Sequence, residues 1–288
     1  MISIITCFEK PIETITLALY RSLKKNLTGS ADYRVYAIAP RPGFEPSADA
    51  VSAAEELGIV YVAAPLNTEF KYYPLLNKAY ACEYVARHYG GDAYLFLDSD
   101  TLFLNKMDLT IHAASEIAIR PVDYRNIGIS DFREPNGPFW QSMYDFLAIK
   151  PNRKVLTATG RRPIFEYFNS GYVYTRKPVL FEIWLKLCLH LMKTGRRPDL
   201  GIFFVEQSAL SVSISACIET LSILPADINY PMHAHADLLL GFKVETISTI
   251  RHVHYHKLFN PSEYRRELIG KAGFGDRQGD VLSFFNLS

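Results

Sequence analysis

The chain has 288 residues, 49% hydrophobic and 21% charged, a balance that excludes disorder over most of its length and any fibrous repeat. A protein of this size buries roughly 75% of its unfolded surface, enough for one large core. Thirty-one Lys and Arg against 30 Asp and Glu leave a formal charge of +1, so no global field draws the chain to nucleic acid.

Cys7, Cys82, Cys188 and Cys217 are scattered without a C-x-x-C pair, which points to a reducing, cytoplasmic location. The N-terminus, MISIITCFEKP, carries no basic stretch ahead of its short apolar run and reads as a first strand, not a signal peptide. Residues 2–6, 33–39 and 59–63 read as strands and 12–25 and 48–57 as helices, a βαβαβ series that implies a mostly parallel sheet with helices on both faces. A helix over 74–89, stopped by Gly90 and Gly91, leads into a buried strand at 93–97. The stretch from Arg120 to Arg162 is rich in Pro, Gly, Arg and Asn and holds one predicted helix, 139–149. After it come a strand (167–176), helices (179–193 and 206–219) and a closing strand (247–256). The helix from Val179 is interrupted by Glu182 and Lys186 and is shorter than the ~20 residues a membrane span needs, so no transmembrane segment is expected.

In open sheets of this kind ligands bind beyond the carboxyl ends of strands, and there stands Asp98-Ser99-Asp100, directly after Tyr94-Leu-Phe-Leu97. Two carboxylates at a strand end make a hard oxygen site suited to Mg²⁺ or Mn²⁺, which usually completes its shell with substrate phosphates. The alternative is an Asx turn capping the strand exit. Arg251-His-Val-His-Tyr-His256 places three histidines at period two. On a strand His252, His254 and His256 would share a face, with neighbours about 6.6 Å apart, as metal ligands or as half-buried histidines bonded to neighbouring strands. His233 and His235 read as a loop. Phe168-Asn169-Ser170-Gly171 opens an apolar strand with small polar groups, Gly171 permitting close approach of a ligand to the backbone, or else marks a turn into a strand. Glu206-Gln207 begins a helix, where an acid is also favoured by the dipole alone.

Taken in order, these motifs resemble the metal-dependent nucleotide-sugar glycosyltransferases of the GT-A fold, closest to the retaining glycogenin-like and lipopolysaccharide galactosyltransferase-like family. The matching features are the Asp-x-Asp at Asp98 and Asp100, the Phe-Asn-Ser-Gly strand at 168–171, the acidic-Gln pair at Glu206 and Gln207, and the His-aromatic step at His254 and Tyr255. The resemblance implies a single α/β GT-A domain over 1–265, with a nucleotide-binding half (1–110), an acceptor-binding half (111–265) and a tail (266–288). It implies metal ligation by Asp98, Asp100 and His254 or its rival His256, and catalytic roles for Glu206 and Gln207. Donor contacts are expected from Thr6, Cys7 and Phe8 through backbone groups, from Lys78, with Asn77 beside it, and from Ser99, Asn169, Ser170 and Gly171. Arg120 is a further phosphate-contact candidate. The family usually has Asp before the Gln, and it follows the late His with Gly and then Lys-Pro-Trp. Here Glu206 stands in the first place, and Lys257, expected to contact the donor phosphates, comes three residues too early for the second.

The expected reaction is transfer of a hexose from a nucleoside diphosphate sugar, UDP-linked by resemblance, to a hydroxyl on a glycan, lipid-linked glycan or protein, with Mn²⁺ or Mg²⁺. Two other classes compete: a zinc hydrolase built on the alternating histidines, and a non-catalytic sugar or nucleotide module whose Tyr124, Phe132, Phe139 and Trp140 stack on glycan.

Overall fold

The computed structural model describes residues 1–29, 31–160, 162–256 and 283–284. Its first half follows the expected alternation: β1 (Ile2–Cys7), α1 (Glu13–Asn26), β2 (Tyr33–Ala39), α2 (Ala48–Glu56), β3 (Val60–Ala63), α3 (Leu76–His88) and β4 (Ala93–Leu97). Then come β5 (Thr101–Phe103), β6 (Ile117–Pro121), α4 (Gly137–Phe146), β7 (Phe168–Thr175), α5 (Val179–Thr194), α6 (Val205–Cys217), β8 (Leu221–Ile223), β9 (Tyr230–Pro231) and β10 (His252–His254). Local chemistry sets several boundaries. Ser47 Oγ accepts from the Ala50 N–H to cap α2, and Gly195, at φ +66°, closes α5 in the left-handed conformation that costs glycine least.

The central sheet has seven strands in the order β8-β6-β7-β4-β1-β2-β3. Pairing is parallel throughout β3-β2-β1-β4 and between β6 and β8, while β7 runs antiparallel to β4 and β6. The architecture is thus the expected α/β layer structure around a mostly parallel sheet. Successive residues of the inner strands enter opposite layers. Ile5, Tyr36 and Ile38 pack with Leu76 of α3, Trp184 of α5 and Leu210 of α6. Ile4, Val35 and Ala37 pack with Leu19 and Leu23 of α1 and Ala54 of α2. Both faces are therefore buried, which explains why these strands read as continuous apolar runs and not as an alternating pattern.

The chain runs from β1 outward through β2 to β3 and then returns to β4 on the other side of β1, so the sheet reverses direction of growth between β1 and β4. Beyond the carboxyl ends of two such strands the connecting loops diverge and leave a crevice, and the Asp98-Ser99-Asp100 turn lies there.

Three expectations change. The closing strand shrinks to His252–His254, preceded by a short 3-10 turn at Ile247–Thr249; a small three-stranded sheet, β9-β10-β5, holds it. The middle segment also contains a short hairpin, Lys154–Leu156 with Pro163–Phe165, and its helix ends at Phe146, three residues early. His233 and His235 lie in a 3-10 turn, Met232–Asp237, not an irregular loop. Lys257 and all of the expected tail but residues 283–284 lie outside the described residues. Among those described, no helix is long and apolar enough to cross a membrane.

Candidate active site

The Asp98 turn is tied to its neighbours at three points. The Asp98 N–H donates to the Gly171 carbonyl at 2.9 Å, Thr101 Oγ1 to the Asp98 carbonyl at 2.8 Å, and Ser99 Oγ to the Cys7 carbonyl at 3.0 Å. The last bond joins the ends of β1 and β4 across the crevice. Thr6 and Phe8 are fully buried, Thr6 Oγ1 sharing a 2.7 Å hydrogen bond with the Tyr20 hydroxyl, and the Phe8 N–H donates to Ile38. Any ligand contact from these two side chains is excluded by packing, while the Cys7 side chain is 8% exposed.

Lys78, from the first turns of α3, reaches into the same crevice. Its Nζ donates to Asp98 Oδ2 at 2.7 Å and to Ser170 Oγ at 3.1 Å, and lies 3.7 Å from Glu206 Oε2. Ser170 Oγ in turn donates to Glu206 Oε2 at 3.1 Å. Glu206 occupies the first turn of α6 with its N–H bonded to the Tyr73 hydroxyl at 2.9 Å, and its Oε1 is buried without a partner. Burial pushes its carboxyl up to about 7, with Lys78 opposing and Asp98 reinforcing the rise. Burial also raises Asp98 despite Lys78, and the surrounding carboxylates hold Lys78 protonated above its ordinary range against the cost of its burial. Gln207, the next residue, lies beside Tyr167.

On the other side of the Asp98 turn stand the histidines. Antiparallel pairing of β10 with β5 sets His254 opposite Thr101, and His254 Nε2 lies 3.3 Å from Asp100 Oδ1 and 3.8 Å from Asp98 Oδ2. Burial disfavours ionisation of Asp100, but His254 and His256 outweigh it and hold the carboxyl below its ordinary range. His256 adopts φ +48°, uncommon for a residue with a side chain. With this φ its ring stacks on His254 with centroids 3.8 Å apart, nearer than the 6.6 Å a continued strand would give. His256 Nδ1 lies 3.9 Å from Asp100 Oδ2. His252 does not join them: it is fully buried with its ring edge-on to Phe103 and Tyr172. The triplet is therefore one core histidine and a facing pair.

Asp100, His254 and His256 offer ligand atoms within 4.8 Å of one another, and Asp98 adds a second carboxylate at the edge of the set. Hard oxygens with imidazole suit Mn²⁺, and the donor set fits such an ion.

The absence of a side chain at Gly171 also serves the protein's own packing. A Cβ there would stand 2.3 Å from His254 Cε1, so the missing side chain makes room for the imidazole. The pairing of β7 with β6 is irregular between Asn169 and Tyr174, and irregularities of this kind re-aim side chains beside sites. Asn169 Oδ1 accepts from the Gly171 N–H and from Asn229 Nδ2, both at 2.9 Å, which fixes the turn.

Other candidates fall away. Arg120 is 1% exposed, its guanidinium donating to the Ala226 and Phe242 carbonyls; a strand position buried in this way cannot present it to a phosphate. Asn77 is bonded to Glu9 and Asn67 inside the core. Trp140 and Phe139 are buried, the indole N–H bonded to the Ile127 carbonyl, and Phe132 packs on Tyr144 and Phe165, which removes most of the proposed glycan-stacking surface. A network that sequence reading missed follows β1: Glu9 accepts from Arg41 Nη2 at 2.6 Å and from Asn77 Nδ2 at 3.0 Å, all three buried. Nothing local in the sequence links Glu9 to Arg41.

The decisive comparison is with a protein family: residues 4–217, about three quarters of the chain, match the Rhodobacterales glycosyltransferase domain. The chain belongs to that family. Solved structures agree in fold. The galactosyltransferase LgtC, in complex with donor and acceptor sugar analogs, is 12% identical with TM-score 0.55 over 97% of this chain and 96% of its own. An active-site mutant of LgtC gives 12% identity and TM-score 0.55 over 94% and 96%. The bifunctional glycosyltransferase WbbM is 14% identical with TM-score 0.56, covering 98% of this chain, which spans about half of WbbM. No curated protein sequence matches. The glycosyltransferase has the GT-A fold and resembles LgtC-like enzymes.

Proposed function

We propose that this glycosyltransferase moves a hexose from a UDP-linked sugar to a hydroxyl acceptor, a glycan, lipid-linked glycan or protein, with Mn²⁺ or Mg²⁺ as cofactor. The observation that carries the reading is the convergence, beyond the ends of β1 and β4, of an Asp98–Asp100–His254–His256 set on one side and a Lys78–Ser170–Glu206 chain on the other. Asp98, Asp100 and His254, with His256 beside them, would hold the divalent ion, which when bound neutralises charge that develops on a departing diphosphate.

The rest is the work of the chain itself. Lys78, kept charged among carboxylates, adds fixed positive charge beside the diphosphate. Ser170 and Asn169 offer hydrogen-bonding groups to sugar hydroxyls, and the Cys7 and Ser99 backbones border the nucleotide. Glu206 and Gln207 face the sugar ring. Retention of stereochemistry is favoured, with these two supporting an oxocarbenium-like centre; LgtC, too, has an active-site glutamine, since its active-site mutant is a Gln-to-Glu change. The nucleotide is assigned to the half over 1–110 and the acceptor to the half over 111–265, and a cytoplasmic location fits the four free cysteines.

A thermal-shift screen of nucleoside diphosphates and their sugars with and without Mn²⁺ tests this. A ligand that binds only the folded protein raises its melting temperature in proportion to occupancy. UDP and one UDP-hexose are expected to stabilise only with Mn²⁺ present; no shift from any nucleoside diphosphate refutes the reading.

A further inference from the structure

We propose that Asp123, His233 and His256 form a second divalent-ion site, of the zinc class, next to the set around Asp98 and Asp100 and sharing His256 with it. The proposal is independent of sugar transfer. Its three ligands come from separate segments: Asp123 just beyond β6, His233 from the 3-10 turn at Met232–Asp237, and His256 from the turn after β10. One ligand atom from each lies within 4.8 Å of the others.

The state of each side chain supports it. Asp123 is 7% exposed, and its Oδ1 is buried with no hydrogen-bond partner. Its nearest cation is Arg120 Nε at 3.9 Å, itself without a partner. A buried carboxylate so poorly compensated is costly, and a bound cation would relieve it. His233 Nε2 lies 3.6 Å from Asp123 Oδ2, too far for a hydrogen bond yet suitably placed to share an ion. The His233 ring meets His256 edge-on with centroids 4.3 Å apart, and His256 Nε2 is buried without a partner while Nδ1 faces Asp100. Two imidazoles and one carboxylate form a borderline-soft donor set with an open fourth position, which favours Zn²⁺ over Mg²⁺ or Ca²⁺. His233 is 34% exposed, so an ion can enter from solvent. Because His256 belongs to both sets, zinc here competes with an ion at Asp100 for that ring.

The test is titration of the full chain, stripped with chelator, with Zn²⁺ alone, read by calorimetry and by competition with a chromophoric chelator. Co²⁺ absorption serves as an independent readout. Wild type is expected to show a zinc-binding component that weakens by about tenfold or more in His233→Ala and Asp123→Asn and persists in Asp100→Ala. Co²⁺ bands should be lost in His233→Ala. Should Asp123→Asn fail to fold, the half-exposed His233 decides. Zinc binding unchanged in number and affinity in His233→Ala, or abolished altogether in Asp100→Ala, overturns the proposal.

Discussion

The substitution Glu206→Gln separates chemistry from stability at one position. Glu206 is 2% exposed, and one of its carboxylate oxygens has no partner. Burial raises its carboxyl from 4.5 to about 7, so the folded protein keeps a proton that the unfolded chain releases. Across that interval, at about 1.4 kcal/mol for each tenfold change in proton affinity, the effect is worth about 3 kcal/mol. The folded pKa lies above the unfolded one, so the stabilisation is complete below pH 4.5 and is lost as pH rises through 7.

Wild type should therefore lose about 3 kcal/mol relative to Glu206→Gln between pH 4.5 and 8, measured by denaturant unfolding without divalent ions. Above pH 7 the difference should level off, because Glu206 is then ionised in both the folded and the unfolded state. In the proposed reaction the same change should lower kcat while leaving donor affinity near that of wild type, because it removes an interaction made mainly in the transition state. A stability difference between the two proteins that is flat from pH 4.5 to 8 refutes the electrostatic argument. A near wild-type kcat removes Glu206 from the mechanism.

Asp100→Ala deletes a carboxylate that is 29% exposed and belongs to no hydrophobic core cluster; by calorimetry it should abolish Mn²⁺-dependent binding of UDP while the melting temperature stays within a few degrees. His254→Ala should weaken Mn²⁺ more than His256→Ala, because His254 Nε2 stands 3.3 Å from Asp100 and His256 Nδ1 3.9 Å; a larger loss at His256 reverses the assignment. Gly171→Ala puts a methyl group 2.3 Å from His254 Cε1, so the imidazole must move and Mn²⁺ affinity should fall about tenfold or more although no ligand atom is deleted. Unchanged Mn²⁺ affinity in that variant would show that the ring position is immaterial.

Much of this was readable because it is local. The strand 93–97 is a continuous apolar run, and the acids after it must project from its carboxyl end whatever the rest of the chain does. What the sequence hid is non-local or depends on one backbone angle. Period-two spacing assigned three histidines to one strand face, but the strand stops at His254 and the left-handed φ of His256 folds its ring back; histidine tolerates that conformation, and no local pattern announces it. His252 matched the spacing equally well and is core, because the β5–β10 pairing directs it against Phe103. Asp123 and His233 meet across the fold and leave no trace in spacing. Arg120 looked like a phosphate ligand because it ends a strand, yet that strand is buried on both sides.

The charges of the site favour a bound cation. Asp98, Asp100 and Glu206 surround a single ammonium, Lys78, with His254 drawn toward protonation mainly by Asp100, against the cost of its burial. With all three acids ionised, one lysine and a partly charged imidazole leave an excess of negative charge in a crevice shielded from water, which is unfavourable. Two reliefs are open: a proton retained on Glu206, or a divalent ion beside Asp98 and Asp100. They act on the same excess, because Asp98 is among the groups that push Glu206 up and Lys78 bridges the two. An ion bound at the aspartates would thus free Lys78 from Asp98, strengthen its hold on Glu206 and favour the ionised carboxylate. Asp98 and Asp100 on one side and Glu206 on the other are in this sense one electrostatic unit, joined through Lys78 and Ser170, and a change to Lys78 or Ser170 should be felt on both sides.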